Sequence, residues 1–316
     1  MDAGHITICL GQGLSIRSTR PANIGVVFAG RRVADVARLM PLLFAVCGRA
    51  QTQASQWALA MAAGETPDST VPAAVTAEAI REHMMRIAVD WAKALDLTPD
   101  TTILRRIHAL PKQASEGTRR DVAHLADELL TELVSSRARL AAGDWSGLFT
   151  ETSLAGRLLH HVVARGWSDW GRSASSDPAE TSAFTLVRDD PAMAALVAQH
   201  GDGLLPRLSA RLVHLARLIE TLADGGAKAR LHRHEGWGEA TLPTSRGLLT
   251  HRVKRADDLV IAYDIIAPTD INFRPHGIAA ASLKSFYPST DEQAMRLMVE
   301  AIDPCVSYSF TETVSP

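Results

Sequence analysis

Residues His5 to Leu10 place apolar Ile6, Ile8 and Leu10 at every second position, the period of a half-buried β-strand. Ile24 to Phe28 is a second short apolar run and predicts another strand, and Ala29-Gly30-Arg31 predicts a turn. From Val33 to about Ala63 the period lengthens: Val36, Leu39, Leu43 and Val46 recur at three and four, as on a helix. Pro41 has no amide proton to donate and crowds the preceding turn. It predicts a break or kink and sets Cys47 near a fresh helix start. Residues 64–72 are rich in Gly, Pro, Thr and Ser and predict a loop. Helical periodicity resumes in Glu78 to Leu95, Thr118 to Leu140 and Leu204 to Leu222, whereas Trp167 to Pro178 is polar and irregular. After Gly225-Gly226, Arg246 to Val253 and Leu259 to Ile266 are rich in β-formers and predict a hairpin. A turn at Asn272 to Pro275 and two short helices, Ile278 to Phe286 and Glu292 to Ile302, close the pattern. The expected fold is α-rich α+β: a helical body with β elements at both chain ends, in a single domain over residues 1–316.

Composition narrows the function classes. The chain has 316 residues, 46% hydrophobic and 22% charged, with a formal net charge of −2. Mixed charges of that balance give no field for capturing nucleic acid or an anionic membrane. No apolar stretch is long enough for membrane insertion, and no basic segment leads into an apolar one at the N-terminus. Arg31-Arg32 lies within the folded pattern and is no twin-arginine signal, so a cytoplasmic location is expected. Three cysteines, Cys9, Cys47 and Cys305, are too few and odd in number for a disulfide framework. Each is core, nucleophile or metal ligand, and composition does not choose. Cys9 alternates within the first strand and is expected in the core. His232-x-His234-Glu235 reads as a polar loop between Gly226 and Gly236, without a third ligand at helical spacing. Nucleophile elbows, phosphate-binding loops and His-Glu-x-x-His helices are absent from the sequence.

Cys47 stands in Leu43-Phe44-Ala45-Val46-Cys47-Gly48-Arg49-Ala50, and Cys305 in Ala301-Ile302-Asp303-Pro304-Cys305-Val306-Ser307-Tyr308. The first segment resembles the Cys-Gly-x-Cys-x-x-x-His motif of nickel–iron hydrogenase large subunits. The second resembles their C-terminal Asp-Pro-Cys-x-x-Cys-x-x-His. Pro243-Thr244-Ser245-Arg246-Gly247-Leu248-Leu249-Thr250-His251 is similar to the family's Glu-Ala-Pro-Arg-Gly-x-Leu-x-His segment. Tyr263 to Asn272, which contains Ala267-Pro268-Thr269, is similar to its Tyr-Gln-x-Val-x-Pro-Thr-Thr-Trp-Asn segment, and Gly4-His5-Ile6 to its Glu-Gly-His strand. The five segments keep the family's order along nearly the whole chain. Three further strings, Arg20-Pro21, Phe28-Ala29-Gly30-Arg31 and Leu42 to Gln51, resemble the HupK/HoxV group of hydrogenase expression/formation proteins within that family.

The departures from the motifs set the expectation. Ala50 and Tyr308 stand where the family has the second cysteine of each motif, and Ala54 and Thr311 where it has histidine. Two thiolates cannot fill the four sulfur positions of a bimetallic centre. The resemblance therefore implies a non-catalytic maturation scaffold, with no nickel and no turnover. It implies Cys47 and Cys305 as metal ligands for a transient iron carrying CO and cyanide. Arg246, Pro268 and Thr269 would surround that cargo, because a guanidinium and a hydroxyl can satisfy the lone pair of a metal-bound cyanide. The implied partners are hydrogenase maturation chaperones and the hydrogenase large-subunit precursor. The alternative is a metal-free interaction protein that mimics the large subunit and binds those chaperones or the precursor.

Overall fold

The computed structural model describes residues 4–10, 13–21, 23–44, 46–110, 120–126, 137–147, 149, 153–173, 180–222, 226–286 and 291–312. A three-stranded sheet joins regions near the two ends of the sequence. Strand β1 (His5–Cys9) pairs antiparallel with β2 (Ser15–Ser18) and parallel with β7 (Ser307–Thr311). His5 clamps the parallel pair, its two ring nitrogens lying 2.9 Å and 2.8 Å from the hydroxyls of Ser307 and Ser309. A four-stranded antiparallel sheet has the order β3-β4-β5-β6 (Arg230–His234, Trp237–Thr244, Gly247–Ala256, Leu259–Ile266).

Helices pack against these sheets and against one another, around two hydrophobic clusters. Helix α1 (Val33–Leu43) leads into α2 (Gly48–Ala62), which lies across β4 and β5. The contact is close because Gly238 has no side chain: a Cβ there would stand 2.2 Å from the Ala58 carbonyl oxygen. Helix α3 (Ala73–Met85) continues through a π-helical turn, Arg86–Trp91. The body of the molecule is α4 (Leu204–Thr221), packed against α3, the Leu154–Ala164 and Ala183–Val187 helices, and α5 (Glu292–Ile302). Leu204, Leu208, Leu212, Leu215 and Ile219 of α4 are fully buried. Each such side chain contributes roughly 2 kcal/mol of hydrophobic stabilisation. Arg207, Arg211 and His214 are buried on the same helix, so α4 carries polar groups inside as well. Among the described residues no helix is long and apolar enough to cross a membrane.

The α-rich α+β reading matches this architecture, with corrections in detail. Ile24–Phe28 is a 3₁₀ turn and not a strand: the Asn23 side chain accepts from the Gly25 N–H at 2.9 Å and caps it. An apolar run that short has no period to tell strand from helix. Pro41 lies inside α1, which continues two residues past it. His232 and His234 belong to edge strand β3 and not to a loop. The helix read from Glu78 begins at Ala73. Of the Thr118 to Leu140 pattern, residues 120–126 and Arg137–Ala141 are helical. The rest of that pattern, and residues 174–178 of the irregular segment, lie outside the described residues.

Candidate functional site

Four loops and turns meet at a cavity of about 600 Å³. The link between α1 and α2 brings Cys47, which caps α2 with a left-handed backbone, φ +54°. The segment after α5 brings Cys305, behind Asp303, which is also left-handed at φ +67°. The β4–β5 turn brings Arg246, and the short helix Pro268–Asn272 brings Pro268 and Thr269. All five residues singled out in the sequence line this one cavity. Its remaining walls are largely apolar, with Ile24, Leu43, Phe44, Leu249 and Ile265, so polar contacts inside it are poorly screened by water.

Arg246 is buried and held from two sides. Its Nη1 donates to the Glu82 carboxylate at 2.6 Å and approaches the Cys47 sulfur at 3.2 Å. Its Nε lies 3.4 Å from Asp303. Burial alone would weaken its charge, but Asp303 and Glu82 more than offset that and hold the guanidinium firmly protonated. Among the described residues nothing accepts from its second terminal nitrogen, Nη2. Asp303 also takes Arg86 at 2.7 Å and Arg211 at 3.1 Å, so one buried carboxylate faces three guanidinium groups. Arg211 contacts His83 at 3.0 Å, and His83 contacts His214 at 2.9 Å. Burial and the neighbouring guanidinium hold His83 well below the usual histidine range, and His214 is pushed down to about 3 by burial and nearby arginines. Both rings are therefore neutral at physiological pH, so Asp303 is the carboxylate that opposes Arg211, while Arg86 also meets Asp90 and Glu300 and Arg246 also meets Glu82.

The two sulfurs are held differently. Cys47 donates its thiol proton toward Glu82 at 3.2 Å and its backbone N–H to the same carboxylate at 2.9 Å. Burial, then the Glu82 charge, push the Cys47 thiol well up, so it rests protonated. Cys305 instead faces a cation: Arg20 Nη1 lies 3.1 Å from its sulfur, while Arg20 Nε pairs with Asp270 at 2.9 Å. Its backbone N–H donates to the Thr269 hydroxyl at 3.0 Å, which leaves that hydroxyl's own proton available.

The Glu82→Gln variant separates these two environments. It removes the negative charge beside Cys47 and leaves Arg246 opposed by Asp303. The thiol should fall back toward its ordinary range, with about tenfold more thiolate at neutral pH. Alkylation of Cys47 by iodoacetamide, read by mass spectrometry with Cys305 as internal reference, should accelerate by that factor. An unchanged ratio would remove Glu82 as the group that keeps Cys47 a thiol.

Glu82 and Arg20 were not singled out as site residues in the sequence. A carboxylate on an amphipathic helix reads as solvated face, and Arg20 precedes a proline in an irregular segment. The positions that match the second cysteine of each motif, Ala50 and Tyr308, and the first motif's histidine, Ala54, are closed. Ala50 and Ala54 are buried in α2, and the Tyr308 hydroxyl donates to Glu300 at 2.7 Å. None of these residues is among those lining the cavity. Among the described residues no group of three or more His, Cys, Asp or Glu is arranged to hold a metal. Cys9 is buried in β1, as expected, although it lies out of phase with Ile6 and Ile8.

No family model matches the chain. Curated relatives match nearly all of it. It is 28% identical over 311 residues to the hydrogenase expression/formation protein HupK of Rhodobacter capsulatus, spanning 96% of this chain and 95% of that one. Identity is 28% over 330 residues to HupV of Azotobacter chroococcum, spanning 94% and 93%. It is 26% over 368 residues to HoxV of Cupriavidus necator, spanning 97% and 94%. Among solved structures, the Ni-Fe-Se hydrogenase of D. vulgaris Hildenborough in its reduced state superposes with a TM-score of 0.57 at 12% identity, covering 93% of each chain. The [NiFeSe]-hydrogenase of Dm. baculatum does so with a TM-score of 0.57 at 12% identity, covering 93% and 94%. The chain is a relative of the HupK, HupV and HoxV hydrogenase expression/formation proteins, built on the fold of the hydrogenase large subunit.

Proposed function

We propose that this protein is a non-catalytic scaffold in hydrogenase maturation that holds an iron complex bearing CO and cyanide as cargo. The observation that carries the reading is the sharing of one cavity by Cys47, Cys305, Arg246 and Thr269, while the positions of the missing cysteines are closed. Soft thiolates suit iron, and an iron that already has three diatomic ligands needs few from protein. The unused Nη2 of Arg246 and the free proton of Thr269 are donors of the kind that cyanide nitrogens accept. Two sulfurs are too few for a nickel–iron pair, so neither nickel nor hydrogen turnover belongs to the proposal. The cargo would pass between maturation chaperones and the large-subunit precursor.

One observation favours the alternative of a metal-free interaction protein. Cys47 rests as a thiol hydrogen-bonded to Glu82, and loading a metal there requires that proton to leave. Infrared spectroscopy decides between the two. The protein, produced anaerobically alongside the maturation machinery, should show CO and cyanide stretching bands. Protein that supports hydrogenase assembly yet lacks those bands would overturn the carrier reading and leave the metal-free one.

A further inference from the structure

Gln51 lies four residues beyond Cys47 on α2, and its backbone N–H donates to the Cys47 carbonyl at 2.9 Å. Its side chain lines the cavity although the residue is only 6% exposed. The side-chain oxygen of Gln51 lies 2.7 Å from Nε2 of His251, and Nδ1 of His251 lies 2.8 Å from the Tyr263 hydroxyl. Both partners are buried, on β5 and β6.

The direction of this relay follows from its ends. Burial pushes His251 down to about 3, so its ring is neutral, with one N–H and one acceptor nitrogen. Burial also raises Tyr263, which keeps its proton. A buried hydroxyl proton needs an acceptor; the Ser55 hydroxyl lies near that of Tyr263 but outside hydrogen-bonding geometry, so Nδ1 of His251, at 2.8 Å, takes the proton. Nε2 then carries the ring proton and donates to the Gln51 oxygen. That fixes the carboxamide with its nitrogen turned away from His251. Among the described residues nothing accepts from this nitrogen. This donor is not sealed inside the protein: it opens on the cavity that Gln51 lines, where it can meet an acceptor.

We propose that Gln51 is a ligand-binding residue whose carboxamide nitrogen, aimed by Tyr263 through His251, donates a hydrogen bond into the cavity to the terminal nitrogen of a linear anionic ligand. The identity of that ligand as a metal-bound cyanide rests on the carrier reading; the donor itself does not. Arg246 supplies charge and a second donor from the β4–β5 turn, and Arg20 charge from the opposite segment. Two donors and a further positive charge at separate points select a small anion with exposed acceptor ends over a bare cation or an apolar guest.

The test uses thiocyanate, a linear anion with an acceptor nitrogen, on the full-length protein labelled with ¹⁵N-glutamine. The Gln51 side-chain resonances are assigned by their loss in Gln51→Met, which keeps the length and bulk of the side chain. In the wild type these resonances should shift as thiocyanate is added. Affinity should fall about tenfold in Gln51→Met. Tyr263→Phe frees the ring tautomer and should weaken binding by about threefold while shrinking the Gln51 shift. A purely structural glutamine predicts a lower melting temperature for Gln51→Met with unchanged thiocyanate affinity, and that result overturns the proposal. So does a wild type that fails to bind thiocyanate, or that binds it with no movement of the Gln51 resonances. If Gln51→Met does not fold, the Gln51 resonances are assigned from the full wild-type spectrum, and their response decides. Missing cyanide bands in the infrared experiment, with the thiocyanate response intact, would remove the carrier reading and leave Gln51 as an anion donor.

Discussion

Under the carrier proposal, serine at position 47 or 305 is expected to strip the protein of CO and cyanide bands while leaving it folded. The change is one atom, sulfur to oxygen, at two half-buried sites. Serine hydroxyls stay protonated at neutral pH and are hard donors, whereas iron with strong-field diatomic ligands favours thiolate. Losing a group behind a metal ligand typically weakens metal affinity by about 10–100-fold, so losing the ligand itself should reach at least the upper end. Neither cysteine's side chain caps a helix: Cys47 makes no side-chain cap bond in α2, and Cys305 is tied to Thr269 through its backbone. Thermal unfolding of Cys47→Ser and Cys305→Ser should therefore stay close to wild type. Full-strength bands in either variant would show that its sulfur does not hold the iron. Retained hydrogenase assembly with both cysteines replaced would point to the metal-free reading.

The largest stability effect is expected at Asp303. It is 2% exposed and is the shared counter-charge of Arg86, Arg211 and Arg246. Asp303→Asn keeps the shape, and asparagine tolerates a left-handed backbone as aspartate does, so the loss is one of charge. Breaking a buried ion pair from one side costs about 3–5 kcal/mol, because the remaining charge is stranded. Urea unfolding at pH 7 should register a loss of that size. Burial would raise the Asp303 carboxyl, but Arg246, Arg211 and Arg86 outweigh it and hold it below the usual range. A carboxyl depressed in the folded state contributes stability that is complete above its unfolded value of about 3.9. That contribution is lost as pH falls through the lower folded value. The wild type should lose it on acidification below about pH 4, and Asp303→Asn should lack that part of the acid response. A variant as stable as wild type at pH 7 would mean that the three arginines are balanced without this carboxylate.

The cysteine motifs were legible because their residues are specified locally. A Cys-Gly at a helix start and an Asp-Pro-Cys at a helix end each fix a backbone and a donor in a few positions. The five segments keep their order, and the meeting of four of them at one cavity follows the fold that order implies. What the sequence hid was pairing across distance. Glu82 lies 35 residues from Cys47 and 164 from Arg246, and nothing in its own helix distinguishes it from Glu78 beside it. Gln51 is visible as a letter, but its orientation depends on His251 and Tyr263, which sit on two other strands. Strand β3 escaped because an edge strand of Arg, Leu and His has one partner and no apolar face to alternate. The run Ile24–Phe28 was misread because five apolar residues carry no period, and its cap, Asn23, was the stronger signal.

The parallel pairing of β1 with β7 has a consequence for timing. Cys47 leaves the ribosome early, yet the wall that carries Cys305 is set by residues translated about 260 positions later. At roughly 5–20 residues per second, the first thiol waits some 10–50 s for the second. A nascent chain can thus bring nothing between its two sulfurs until the segment carrying Cys305 has been made and β7 has paired with β1.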